Sequence, residues 1–267
     1  MSDLFTTLSA SKRRTVMLRE MKRTIAKFGL LESGDHVIIA VSGGIDSLTM
    51  LDLLADKSPW WAREVRFTPV HIVAGFPQQE EKLENLAEFS RERGMELIVV
   101  HHPEIATIAM SGERPQNPCF VCSRLRRKAI LETAEKIDAN KIAFGHHRED
   151  VLQTFLINIF WGREISTMMP IQPLFGGRFR IIRPMFMINE SKVRNYALSH
   201  EIIELSAQCP MEGKTKRDYV SDLLNKLEKD HKGTKSNLFR SLFHVKPDYL
   251  LGNYTFGKNP FENSGED

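Results

Sequence analysis

The sequence predicts a Rossmann-like α/β domain on a parallel sheet, with an N-terminal helix and a C-terminal helical region. Continuous apolar, β-branched runs such as HVIIAV (36–41) suit strands covered on both faces, as parallel strands are. Those runs alternate with helix-length amphipathic stretches, the pattern of βαβ units. The first run ends in a glycine turn that opens a helix, Ser42-Gly43-Gly44-Ile45-Asp46-Ser47. With 267 residues, 42% of them hydrophobic, the chain can bury one substantial core.

Each element has its own signal. Val16, Met17, Met21, Ile25 and Phe28 recur at helical spacing and predict a basic amphipathic helix over 10–29. HVIIAV is the first strand, and LTMLDLLA after the glycine turn reads as a helix. VRFTPVHIV (65–73) is a second strand, 79–93 a helix and ELIVV (96–100) a third strand. Residues 101–118, with Pro103, Gly112, Pro115 and Pro118, read as a loop. A helix over 122–137, a strand at KIAFG (141–145) and a helix over 147–162 follow. From 164 to 188 prolines and glycines dominate around a short strand, 179–182. Helical patterns resume near 189–200, 214–231 and 235–243. The expected organisation is an extension at 1–30, an α/β domain at 31–188, a helical region at 189–251 and a poorly ordered tail at 252–267.

Composition sets limits on function. No apolar run approaches the roughly 20 residues of a membrane span, and the opening MSDLFTTLSASKRR lacks the apolar stretch of a secretory signal. A cytoplasmic protein is expected. Three cysteines, Cys119, Cys122 and Cys209, argue against a disulfide framework. A net charge of +3 proves no nucleic-acid partner, so local clustering of charge matters more.

A buried strand, a tight Gly-Gly turn and a helix N-terminus together suit a phosphate. Gly43 and Gly44 let the backbone approach an anion, and the helix end supplies partial positive charge. Ser42 and Ser47 add hydroxyl donors, while Asp46 suits a helix cap or a magnesium ion. The turn is neither GxxxxGK[ST] nor GxGxxG.

Cys119-Phe-Val-Cys122 opens a helix, whose N-terminus favours the thiolate. A structural zinc site would need a fourth ligand such as His102 or His146, whereas three thiolates suit an iron–sulfur cluster with one iron open. Gly145-His146-His147-Arg148-Glu149-Asp150 sits where a strand meets a helix, the edge at which ligands bind in open α/β sheets. Asp150 is a candidate magnesium ligand or helix cap there, and His146 a group to polarise a phosphate or a base. Arg124, Arg126, Arg127 and Lys128 pack four cations beside the cysteines, facing either solvent or RNA phosphates. Further cations occur at Arg178, Arg180, Arg183, Lys192, Arg194, Lys214, Lys216 and Arg217, and Phe120, Trp161 and Phe186 are candidates to stack on a splayed base.

These motifs carry a resemblance. VSGGIDS after a buried strand resembles the SGGxDS loop of the PP-loop ATP-pyrophosphatase superfamily, whose fold is adenine nucleotide alpha hydrolase-like. PCFVCSRLRRKAI, followed by KIAFGHHREDVLQTFLINIFWG, resembles the tRNA-cytidine 2-sulfurtransferase family, with a match running from about residue 20 to about 245. The resemblance implies ATP-dependent thiolation at C2 of an anticodon-loop cytidine, position 32, through an adenylated base. It implies ATP on Ser42, Gly43, Gly44, Asp46, Ser47, Gly145, His146 and Asp150, with Ala40, His71 and Ile72 flanking the adenosine. It also implies a [4Fe-4S] cluster on Cys119, Cys122 and Cys209 with one iron free to carry sulfide, Mg2+, a cysteine desulfurase as sulfur source, and a homodimer. Cys119, Cys122, Cys209, Asp46 and Asp150 would be the catalytic set. Two positions depart from the family. Glu212 stands where a second CxxC pair would end, and Ile45 where many members have Lys. Another PP-loop enzyme with a different base or nucleophile, and a non-catalytic nucleotide- and cluster-binding RNA-binding protein, remain alternatives.

Overall fold

The computed structural model describes residues 4–111, 118–206, 211, 213 and 215–251. Its order is α1 (Ala10–Phe28), β1 (His36–Ala40), α2 (Ile45–Leu54), α3 (Trp61–Glu64), β2 (Arg66–Val73), α4 (Leu83–Glu92), β3 (Ile98–His101), α5 (Glu104–Met110), α6 (Pro118–Lys136) and β4 (Lys141–Ala143). Then come α7 (Arg148–Ile157), β5 (Ile171–Leu174), β6 (Phe179–Ile182), α8 (Glu190–Ser199), α9 (Lys216–Asp230) and α10 (Thr234–Ser241). Residues Met1–Asp222 form one compact unit and Leu223–Asp267 a second. Among the described residues no helix is long and apolar enough to cross a membrane.

The six strands lie in the order β3-β2-β1-β4-β6-β5. β1 pairs in parallel with β2 on one side and β4 on the other, and β4 pairs in parallel with β6. The edge strand β5 runs antiparallel to β6. Alternation along β1 makes two cores, because successive side chains leave a strand on opposite faces. Val37 and Ile39 join Met17, Met21 and Ile25 of α1, Leu48 and Leu51 of α2, and Val193 of α8. Ile38 and Ala40 join Ala129, Ile130 and Ala134 of α6 on the opposite face.

Several sequence expectations need correction. The stretch read as a loop over 101–118 contains α5, which buries Ile105 and Ala109 at i, i+4. The helix expected at 122 starts at Pro118, so both cysteines of the pair lie in it. β5, unforeseen in the sequence, carries Pro173 in its interior, a residue tolerated on an edge strand. The helix expected over 147–162 is α-helical only to Ile157 and continues as a π-turn over Asn158–Gly162. The tail expected at 252–267 lies outside the described residues.

Candidate active site

The chain order reverses at β1: the chain runs from β1 out to β2 and β3 on one side, then crosses back to β4 on the other. A crevice at the carboxyl ends of strands is the expected ligand site there. A cavity of about 320 Å³ occupies that place. Ala40, Ser42, Asp46 and Ser47 line it from the first crossover, Gly145, His146 and Asp150 from the loop after β4, and Arg126 and Arg127 from α6.

The glycine turn is held by its own hydroxyls. Ser47 Oγ donates to the Gly44 carbonyl at 2.8 Å and accepts from the Ser42 amide at 3.2 Å. Gly43 has φ +86°, and its carbonyl accepts from the Leu205 amide at 2.8 Å. A Cβ at Gly43 would lie 2.6 Å from the Leu205 carbonyl oxygen, so this position admits glycine alone. Gly145 is constrained from outside: a Cβ there would come within 3.0 Å of the Asp46 backbone. The two motif loops therefore touch because one of them lacks a side chain.

Charge in the site is organised around two histidines. His147 is buried, with Nδ1 3.5 Å from both Glu149 and Asp150 and Nε2 3.8 Å from Asp46. Burial opposes its protonation, but Glu149, Asp150 and Asp46 outweigh that and raise its pKa to about 9. Burial acts against the Glu149 carboxylate too, yet His147 and Arg148 hold it down to about 2. His146 goes the other way. Burial, with Arg183, Arg217 and His147 nearby, lowers it to about 4 despite Asp150. Its Nδ1 is buried with no hydrogen-bond partner among the described residues, and a buried nitrogen of that kind points to a ligand group. Asp46 is half-exposed; enclosure of its carboxylate, with Asp150 and Glu190 close by, raises its pKa against the pull of His147. Asp150 caps α7 by accepting the His147 amide at 2.9 Å and accepts Arg217 Nη1 at 2.8 Å. Arg183, buried at the end of β6, donates to the Met169 carbonyl. Burial and Arg127 lower its pKa to about 10, with Asp150 opposing.

Known proteins share this sequence pattern and fold. A model of the PP-loop domain matches residues 14–220. The tRNA-cytidine(32) 2-sulfurtransferase of Cupriavidus necator is 32% identical over 232 residues, covering 85% of this chain and 72% of that protein. The protein of the same description from Polynucleobacter asymbioticus is 30% identical over 254 residues, covering 94% and 82%. The chain belongs to the tRNA-cytidine(32) 2-sulfurtransferase family of PP-loop proteins. Among solved structures, the U34-tRNA thiolase NcsA from Methanococcus maripaludis with its [4Fe-4S] cluster shares the fold, with a TM-score of 0.69 and 24% identity over 87% of this chain and 81% of that one.

Around the PP-loop, the motif residues fall into three groups. Ala40, Ile72, Ser42, Asp46, Ser47, Gly145, His146 and Asp150 face the common cavity. Gly43 and Gly44 shape the turn behind it. His71 does not line it: Nδ1 donates to the Val41 carbonyl at 2.8 Å, and Nε2 accepts from Gln79 at 3.1 Å. That assignment follows from Gln79, whose amide nitrogen also donates to the Ile72 carbonyl at 2.8 Å. Ile45, the departure inside the motif, packs half-buried against the core on the α1–α2–α8 side.

Cys119 and Cys122 are partly exposed, one turn apart in the first turns of α6. Ser123, next in sequence, lines the cavity, whereas neither cysteine is among its lining residues. Cys209, Glu212 and Lys214 lie outside the described residues. Among the described residues no three His, Cys, Asp or Glu side chains are gathered as a metal site. Two thiols at i, i+3 in the first turns of α6 fit part of a cluster site.

The basic residues divide by role. Arg126 and Arg127 face the cavity. Lys192 and Arg194 are bound to Glu20 and Glu190. Of the aromatic candidates, Phe186 is core, with its ring 5.7 Å from Phe28. Trp161 and Phe120 are exposed. Arg217 contributes more than its place in a basic run suggests, because it lines the cavity and clamps Asp150. Its only signal in the sequence is the cationic stretch of 214–217. The apolar lining from Val70, Ile130 and Phe144 was not singled out in the sequence, although Ile130 and Phe144 lie within the quoted motif stretches.

Proposed function

We propose that this protein is an ATP-dependent tRNA sulfurtransferase that adenylates an anticodon-loop cytidine, position 32, and replaces its C2 oxygen with sulfur. The supporting observation is that α6, whose first turns hold Cys119 and Cys122, brings Ser123, Arg126 and Arg127 to the cavity shared by the glycine turn and the Gly145–Asp150 loop. Membership of the sulfurtransferase family supports the substrate.

In this reading Ala40, Val70, Ile72 and Ile130 offer an apolar wall to adenine. Ser42, Ser47 and the start of α2 receive the pyrophosphate half, and Arg126 and Arg127 offset charge on the α-phosphate. The C2 oxygen of cytidine attacks the α-phosphorus, and pyrophosphate leaves. Neutral His146, through its unpartnered Nδ1, is placed to hold the base or phosphate edge. When bound, magnesium on Asp46 and Asp150 neutralises phosphate charge, and a [4Fe-4S] cluster on Cys119, Cys122 and Cys209 supplies sulfide. Displacement at C2 then expels AMP, which keeps the former C2 oxygen. Sulfur originates from cysteine through a cysteine desulfurase, and the working form is a homodimer.

The test is nucleoside mass spectrometry of tRNA from a deletion strain, joined to ATP-to-AMP turnover by anaerobically purified protein. Loss of 2-thiocytidine with tRNA-dependent AMP release is expected. Unchanged thionucleosides in the deletion strain overturn the reading.

A further inference from the structure

Beside the cavity lies a larger groove, about 740 Å³, between α6 and the turn joining β5 to β6. The periodicity of α6 separates the two. Ser123, Arg126 and Ile130 face the cavity, whereas Arg124, Lys128 and Leu131 face the groove. Arg127 stands on the ridge and lines both.

The groove combines an apolar floor with a rim of four cations, Arg124, Arg127, Lys128 and Arg178, and two carboxylates, Glu132 and Glu135. Arg124 and Arg127 are exposed and form no ion pair among the described residues. Two further cations are weakly held: Lys128 lies 3.6 Å from Glu132, and Arg178 2.6 Å from Glu135, both pairs exposed. Exposed pairs contribute little and exchange readily for a phosphate. At the tip of the turn Phe175 is 73% exposed. Its φ is +49°, a left-handed conformation that a bulky aromatic adopts only at an energetic cost. Its ring stands edge-on to Phe179, centroids 6.3 Å apart. A solvent-facing ring beside two arginines that form no ion pair among the described residues suits stacking on an unpaired base.

We infer that this groove holds a second unpaired nucleotide of the RNA loop, a neighbour of the reacting base, with its base stacked on Phe175 and its phosphates on Arg124, Arg127 and Arg178. The strand then crosses the ridge at Arg127 to deliver the adjoining base to the cavity. This rests on the tRNA reading above and extends it from one nucleotide to two.

The experiment uses the full chain, purified anaerobically, with ATP affinity as the control for folding. Binding of intact tRNA and of its anticodon stem-loop is measured by fluorescence anisotropy for the unchanged protein and for Phe175→Ala, Phe175→Leu, Phe175→Trp and the double change Arg124→Ala with Arg178→Ala. The expected result is at least about fivefold weaker RNA binding for Phe175→Ala and Phe175→Leu, with Phe175→Trp near the unchanged protein, since base–aromatic stacking is worth about 1–3 kcal/mol. The double arginine change is expected to weaken binding and flatten its salt dependence. A photo-reactive phenylalanine analogue at 175 is expected to cross-link to a loop nucleotide. Undiminished binding by Phe175→Ala, equal binding by the Leu and Trp variants, or cross-linking to a paired stem or to protein overturns the groove assignment while leaving the tRNA reading intact. Failure of the unchanged protein to bind tRNA overturns both.

Discussion

At Gly43 two constraints coincide: a φ of +86° and a Leu205 carbonyl that would sit 2.6 Å from any Cβ. Left-handed backbone alone costs an L-residue about 1–2 kcal/mol, and the contact forces the turn away from Leu205 as well. Gly43→Ala is therefore expected to lower the unfolding temperature and weaken ATP binding together, measured by thermal denaturation and calorimetric titration. A variant that binds ATP normally would show that the turn tolerates a side chain. Cys119 makes the opposite case. It lies partly exposed on the first turn of α6, away from either core. Cys119→Ser is expected to abolish sulfur incorporation into tRNA while leaving ATP affinity and folding near normal. A serine variant that still thiolates tRNA would remove Cys119 from the site.

At the scale of elements, the packing of α1, α2, α4 and α8 depends on one buried carboxylate. Asp52 of α2 accepts from Arg14 at 2.8 Å, Arg93 at 2.8 Å and the Tyr196 hydroxyl at 2.5 Å. Burial and Asp52 raise the Tyr196 pKa, so the phenol stays protonated and donates. Tyr196→Phe leaves the packing intact and removes one bond to a buried charge, an expected loss of about 1–3 kcal/mol in denaturant unfolding. Asp52→Ala removes the acceptor shared by Arg14, Arg93 and Tyr196, leaving Arg14 only Asp56 and Arg93 only Glu92 as carboxylate partners, and is expected to cost more. None of this network was legible in the sequence, because Arg14, Asp52, Arg93 and Tyr196 are scattered and only the fold brings them together. The motifs were legible for the opposite reason. Each is local: the glycine turn and the Gly145–Asp150 element are single strand-to-helix junctions, which a parallel sheet sends to one edge, and the cysteine pair lies within the first turns of one helix. The short elements were misread for physical reasons that can be named. Pro118 looked like a loop residue but starts α6, where its missing N–H is harmless. Pro173 looked incompatible with a strand but lies on the antiparallel edge. His71, expected to flank the adenosine, lies behind the cavity wall, where Gln79, eight positions along, takes up its ring.

Across the whole molecule, the two adjacent histidines impose opposite dependences of stability on pH. His147 has a folded pKa of about 9, above its ordinary 6.5. Its contribution is complete below pH 6.5 and is lost as pH rises through 9. His146 has a folded pKa of about 4, below 6.5, so it resists the proton that the unfolded chain accepts. Its effect is absent above pH 6.5, and stability falls as pH drops from there toward 4. Glu149, with a folded pKa of about 2 against 4.5, adds a further loss as pH falls from 4.5 toward 2. Asp46, whose folded pKa is raised, works against these acid-side losses, since its folded form takes up a proton first. The expected outcome in magnesium-free buffer is a stability maximum near pH 6.5 with decline on both sides, read as unfolding free energy from urea titrations across the range. The assignments separate by substitution. His147→Gln is expected to lower stability at pH 6.5 and remove the alkaline decline, whereas His146→Asn is expected to leave the alkaline limb and weaken the acid one. Should both limbs persist in both variants, other groups control the titration, and the carboxylate cage around His147 does not hold the proton that its geometry implies.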